Sequence, residues 1–231
     1  MELAPSQTLN YKDRSGIVPK HEQIIFDRIV SQNLPSRPAI VADQSWANYY
    51  AFSQTPPSNE EVSNFLSHIP TGGRVLDAGA GSGRWSAAFK RDRPDIAIDA
   101  LDYHIDSSNV LSGDWADRKI KSSFEAFEPD TEYDGIWSHS SLFYLSPEDM
   151  KNLLGKLSSA LKPEGSFHFD LRDSRGKQLQ SFYTMLFDQM KTVIDEVGLK
   201  IDAHSSFPYT HTENGNQIAL DWHDFEVSKK A

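Results

Sequence analysis

The chain has 231 residues, 33 acidic against 23 basic side chains, a formal net charge of −10 and no cysteine. That length suits one domain with an appended segment and is enough to bury a proper core. The missing cysteines exclude disulfides, thiolate metal sites and a cysteine nucleophile, and the acidic balance argues against a nucleic-acid partner, because the basic residues are scattered.

The N-terminus, Met1 to Ser6, has neither the basic start nor the apolar core of a secretory signal. No run of eighteen apolar residues occurs, so no transmembrane helix and no membrane partner are expected. The expectation is a soluble, cytoplasmic protein.

In chain order, residues 1 to 35 read as a loose lead-in with one helix, Glu22 to Ser31, carrying Ile25, Phe26, Ile29 and Val30 on one side. Pro35 and Pro38 break the chain, and Trp46, Tyr49, Tyr50 and Ser53 then recur at helical spacing. Ser58 with Glu61 forms a capping box ahead of Val62, Phe65, Leu66 and Ile69. Residues 1–70 are therefore expected to be a helical cap segment and residues 71–231 the main domain.

From there strands and helices alternate, which implies a mostly parallel sheet covered on both faces. Strand one is Arg74 to Asp77, followed by Gly79, Gly81 and Gly83 and a helix to Arg91. Strand two is Ile96 to Leu101, strand three Val110 to Ser112 and strand four Gly135 to Ser138. The next helix, Ser146 to Leu161, has a serine cap and Pro147 in its first turn, and Lys162-Pro163-Glu164-Gly165 stops it. Phe167, Phe169 and Leu171 alternate on strand five, and Leu186 to Val197 marks a helix closed by Gly198. Leu199 to Phe207 and Gln217 to Val227 read as an antiparallel pair. Only Tyr103 to Asn109 separate strands two and three on this reading, too few for a crossover helix, so the N-terminal segment is expected to help cover the gap.

The glycine-rich loop lets backbone approach a ligand closely, and the helix after it favours negatively charged ligand groups. The nicotinamide fingerprint fails, because Arg84 stands where its third glycine belongs, and the phosphate-cradling lysine pattern is absent. Asp77-Ala78-Gly79-Ala80-Gly81-Ser82-Gly83 instead resembles motif I of Rossmann-like S-adenosylmethionine-dependent methyltransferases. Tyr133-Asp134-Gly135-Ile136-Trp137, Ser141 to Leu145 and Ala160 to Gly165 extend the resemblance, with Glu164 departing from the family's usual Lys-Pro-Gly-Gly turn. It implies a doubly wound, mostly parallel seven-stranded α/β sheet with an antiparallel C-terminal strand.

Ligands of such sheets bind outside the carboxyl ends of the strands. Asp102, just past strand two, is placed to accept the ribose hydroxyls; its rival Asp99 sits inside the strand. The resemblance implies S-adenosyl-L-methionine as cofactor, held by Asp77, Gly79, Ala80, Gly81, Gly83, Asp102, Tyr103 and Ser138. It also implies that Asp114 contacts the adenine amino group with Trp115 near the ring, and that Tyr50 belongs to a helix closing over the methionine end.

The implied reaction is in-line methyl transfer to oxygen, nitrogen or sulfur of a small molecule. His139, after strand four, is the candidate general base, or a rim histidine satisfied by its surroundings. Tyr144 either orients the acceptor or packs on the following helix. Arg172 binds an acidic acceptor or forms a surface ion pair. No metal-ligand spacing occurs among the eight histidines, and no metal is expected. A same-fold enzyme using the sulfonium for other chemistry, and a catalytically silent binding subunit, are the alternatives. The sequence leaves the oligomeric state open.

Overall fold

The computed structural model describes residues 57–106, 113–177, 179, 183–213 and 215–230. The expected helix at Glu22–Ser31, the aromatic face around Tyr50 and the strand at Val110–Ser112 lie outside them.

Helix α1 spans Asn59–Ser67, and its cap is the expected one: Ser58 accepts from Glu61 N at 3.3 Å. Then follow β1 (Arg74–Ala78), α2 (Arg84–Asp92), β2 (Ala97–Asp102), β3 (Arg118–Lys121) and β4 (Tyr133–Ser138). A 3₁₀ turn (Leu142–Tyr144) leads into α3 (Pro147–Ala160), β5 (Leu161–Asp173), α4 (Phe187–Glu196), β6 (Leu199–Glu213) and β7 (Asn216–Lys229). The sheet has seven strands in the order β3-β2-β1-β4-β5-β7-β6. Pairs from β3 to β5 are parallel, while β7 runs antiparallel to both β5 and β6. This is the doubly wound arrangement the alternating pattern implies.

Apolar layers form on both faces, which is why the central strands are apolar runs rather than alternations. Leu153, Leu154 and Leu157 of α3 and Met190 and Ile194 of α4 pack on Leu76, Ile136, Phe167 and Phe225. On the other face Val62, Phe65 and Leu66 of α1 pack with Phe89, Val75, Ile98 and Trp137, so α1 shares the core of the sheet.

The strand beside β2 is Arg118–Lys121, registered with Asp99 opposite Arg118, a strand that the apolar pattern of the sequence does not mark. Trp115, ahead of β3, fills the space beside the sheet by packing with Ala80, Ala100 and Ile105. The Lys162–Gly165 turn lies within β5 as an irregular start, where the register with β4 shifts between Tyr133 and Gly135.

Asp99 is fully buried and committed to structure. It pairs with Arg74 Nη1 and Arg118 Nη2, each at 2.8 Å, and accepts from the Tyr133 hydroxyl at 3.0 Å. Removing the carboxylate leaves the buried Tyr133 hydroxyl and the Arg74 guanidinium without this acceptor, while Arg118 keeps Asp130. Asp99→Ala is expected to destabilise the fold by about 3 kcal/mol in denaturant titration, while leaving ligand binding at the strand ends intact.

Candidate active site

The glycine loop closes the carboxyl end of β1, and each of its glycines needs its missing side chain. Gly79, Gly81 and Gly83 have φ of 84, 56 and 85°, the left-handed region. Gly79 N and Ala80 N donate to Leu101 O at 2.8 and 2.9 Å, which pins the loop to the end of β2. A Cβ on Gly79 would stand 2.5 Å from Ser141 Cβ and 3.1 Å from Phe124 Cζ, and one on Gly83 2.7 Å from the Trp115 ring.

Asp102 ends β2 with both oxygens engaged by backbone. Gly81 N donates to Oδ2 at 3.0 Å and His104 N to Oδ1 at 2.8 Å. The carboxylate therefore braces the glycine loop and remains partly exposed at the rim. Tyr103 beside it is exposed, with its ring edge-on to His104.

Asp77 is buried under the loop, where Ser86 donates to it from Oγ at 2.6 Å and from N at 3.2 Å. Burial pushes its carboxyl up from 3.8 to about 7, and the two bonds from Ser86 only partly offset that. A carboxyl whose folded value lies above its unfolded value stabilises the fold below the unfolded value. That stability is lost as pH rises through about 7. Asp77→Asn keeps an acceptor for Ser86 and cannot ionise. Its stability relative to the unsubstituted chain is expected to rise between pH 5 and pH 8, by at most about 3 kcal/mol. A constant difference across that range would sink the assignment.

At the end of β4, Ser138 Oγ donates to Ala78 O at 2.8 Å and shares a 2.7 Å bond with Ser141 Oγ. These bonds tie the β4 exit to the β1 exit. Between them Ser140 adopts a φ of 57°, rare for a residue with a side chain, and its N–H donates to Asp170 Oδ1 at 2.7 Å. His139 is thereby turned into a nest of aromatic rings, with Trp85 at 5.1 Å and Trp222 at 5.7 Å between centroids. Its Nδ1 lies 3.9 Å from Asp170 Oδ2, and its side chain is 14% exposed. Burial above all, reinforced by the Arg84 charge, lowers its pKa well below 6.5, so the ring is neutral at physiological pH.

The strand ends thus bring together Asp77, Gly79, Ala80, Gly81, Gly83, Asp102, Ser138 and His139. The position of β3 locates the remaining residues. Asp114 and Trp115 precede that strand rather than follow it; Asp114 is exposed, and the Trp115 ring lies against Gly83 with Lys119 Nζ 4.3 Å above it. Phe124, which follows β3, reaches Gly79 instead and lines the loop. Tyr144 packs with Phe143, Leu179 and Leu220. Tyr50 lies outside the described residues. Arg172 is buried and paired with Asp170 at 3.1 Å, so it forms no surface ion pair. Among the described residues, no group of three His, Cys, Asp or Glu side chains could hold a metal ion, and no helix is long and apolar enough to cross a membrane.

The loop geometry suits S-adenosylmethionine. A cradle that a single Cβ would obstruct gives the methionine portion close backbone contact, and a carboxylate one strand away complements a ribose. Comparison with known proteins agrees. Residues 50–209 match the family model described as a methyltransferase domain. Phosphoethanolamine N-methyltransferase 1 of Triticum aestivum is 29% identical over 123 residues, which are 50% of this chain and 24% of that protein; the match thus spans about a quarter of the relative's length. A TehB-like S-adenosylmethionine-dependent methyltransferase from Corynebacterium glutamicum superposes with a TM-score of 0.58 at 18% identity, covering 84% of this chain and 100% of that one. Mitomycin 7-O-methyltransferase MmcR gives a TM-score of 0.58 at 17% identity, over 92% of this chain and 69% of that one. The likeness to these two structures is one of fold. With the family model covering well over half its length, this chain belongs to the Rossmann-like S-adenosylmethionine-dependent methyltransferases.

Proposed function

We propose that the protein methylates a small-molecule acceptor, on oxygen, nitrogen or sulfur, by in-line transfer. The observation that carries this reading is the tie between the β1 and β4 exits, which sets His139 beside the cofactor cradle. When bound, the cofactor supplies a methyl group already activated on a sulfonium, whose departure requires no proton donor. The protein's own work is positional. The Gly79–Gly83 backbone and Asp102 hold the cofactor, and Asp77 and Ser138 support that wall from beneath. Phe124 lines the same loop beside Gly79. Held geometry of this kind is worth several kcal/mol, in the range of about 7–11 for well-aligned reactants. Neutral His139 accepts a proton from an acceptor that must lose one. The relatives' names include N- and O-methyltransferases, which supports a small acceptor and leaves the methylated atom open.

The test is calorimetric titration with S-adenosylmethionine and S-adenosylhomocysteine. Micromolar binding is expected, weakened about 10- to 100-fold in Asp102→Ala, the worth of a charge-assisted hydrogen bond. No binding of either ligand to the folded, unsubstituted chain would defeat the reading. Mass analysis of turnover mixtures must then show a methylated product and S-adenosylhomocysteine in equal amounts.

A further inference from the structure

An acceptor aligned beside His139 lies over the ends of β4 and β5, and the sheet carries charged groups there that nothing above employs. Antiparallel pairing sets Asp170 opposite Asp224 and Arg172 opposite Trp222, so these four side chains share one face. Asp170 is fully buried and already satisfied by Ser140 N and Arg172 Nη1. Arg172 is 3% exposed, with its guanidinium lying on the Trp222 ring and 4.2 Å from the Phe143 centroid. Only its Nη1 is engaged, by Asp170 Oδ2 at 3.1 Å and Leu171 O at 3.3 Å. The Nε–Nη2 edge, the one whose two parallel N–H groups match an oxyanion, makes no hydrogen bond to any described residue.

Asp224 shows the converse. Its Oδ1 accepts from Trp222 Nε1 at 2.9 Å, and its Oδ2 has no partner among the described residues. The residue is partly exposed. Burial, and then the Asp170 charge, push its carboxyl up to about 7, against the weaker pull of Trp222 and Arg172. Glu61 also raises it, so the charges facing this group are Asp170 and Glu61 against Arg172. A guanidinium edge and a carboxylate oxygen without partners among the described residues thus stand diagonally across two strands, where one bound molecule could engage both. Asp170 already holds the guanidinium, so the two edges do not meet.

We propose that the acceptor is a small zwitterion, with its ammonium on Asp224 and its oxyanion, a carboxylate or phosphate, on the Nε–Nη2 edge of Arg172. This deepens the methyltransferase reading and rests on it. An ammonium beside Asp224 compensates its charge, and an oxyanion supplies the acceptors that the Arg172 edge lacks.

The experiment uses the whole chain saturated with S-adenosylhomocysteine. β-Alanine, phosphoethanolamine, propylamine and propionate are titrated while the Trp222 indole N–H and Arg172 Nε–H resonances are followed. The zwitterions are expected to bind at least tenfold more tightly than either singly charged probe and to shift both resonances. β-Alanine against phosphoethanolamine decides between carboxylate and phosphate. Arg172→Lys, which keeps the charge without the fork, should reduce zwitterion affinity to that of propylamine. Asp224→Asn should reduce it to that of propionate, with S-adenosylhomocysteine affinity unchanged in both variants as the check on folding. Zwitterions binding no better than singly charged probes, insensitivity to both substitutions, or no shift with any probe would overturn the assignment. Failure of the unsubstituted chain to bind S-adenosylhomocysteine would instead overturn the methyltransferase reading.

Discussion

Gly79→Ala is expected to lower S-adenosylhomocysteine affinity by more than a thousandfold, about 4 kcal/mol, and to destabilise the fold by about 3 kcal/mol. Two costs add. A φ of 84° places an L side chain in the left-handed region, at about 1–2 kcal/mol. The new Cβ would also stand 2.5 Å from Ser141 Cβ and 2.7 Å from Ser141 Oγ. Ser141 cannot swing aside freely, because its hydroxyl is bonded to Ser138 Oγ at 2.7 Å and to Ala78 O at 3.2 Å. Relief must come from the β1 and β4 exits moving apart, which opens the cradle itself. Gly72 is the control, since it has a φ of 69° and open space where its Cβ would go. Gly72→Ala should incur the conformational cost alone and bind ligand normally. Calorimetric titration and thermal unfolding of both variants measure the contrast. Equal affinity in the two would show that the loop does not cradle the cofactor.

How legible the site was depended on whether a local rule governed each part. Gly79, Gly81 and Gly83 announce backbone that only glycine tolerates, and Ser58 and Ser146 cap the helices their spacing predicts. The C-terminal pair is equally plain, although β6 continues to Glu213, past the expected end at Phe207. Strand β3 is the opposite case. Arg118-Lys119-Ile120-Lys121 lies at the edge of the sheet with its side chains partly or wholly exposed, so it carries charges in place of an apolar alternation. Phe124, which follows it and reaches Gly79, is marked in the sequence only as an aromatic shortly after a charged strand.

The acceptor face was illegible for a different reason. Asp170 and Arg172 meet Asp224 and Trp222 only because β7 returns antiparallel beside β5, a pairing between distant segments. Alternation along β5 does put His168, Asp170 and Arg172 on one face, opposite Phe167, Phe169 and Leu171. It does not say that the polar face is buried. Arg172 therefore read most simply as a surface ion pair, and burial turned it into a candidate for recognition.

His139→Asn is expected to reduce kcat about 100- to 10,000-fold, the usual worth of a positioned proton acceptor, with KM for S-adenosylmethionine little changed. The substitution removes the acceptor nitrogen while leaving Ser140 N on Asp170 and Ser138 on Ala78, so the β4 exit should keep its shape. The pH profile separates a base from a mere space-filler. Burial and the Arg84 charge hold the imidazole neutral to well below pH 6.5. The rate of the unsubstituted enzyme should therefore be flat from about pH 6 upward and fall only as the ring protonates. Asp170 Oδ2 lies 3.9 Å from Nδ1, where its charge favours the imidazolium that proton transfer creates. Asp170→Asn should then lower kcat and shift the acid limb further down, because a carboxylate that stabilises imidazolium is gone. A His139→Asn enzyme with kcat within threefold of the unsubstituted chain would mean that the acceptor arrives already deprotonated. His139 would then serve the aromatic wall alone, through its contacts with Trp85 and Trp222.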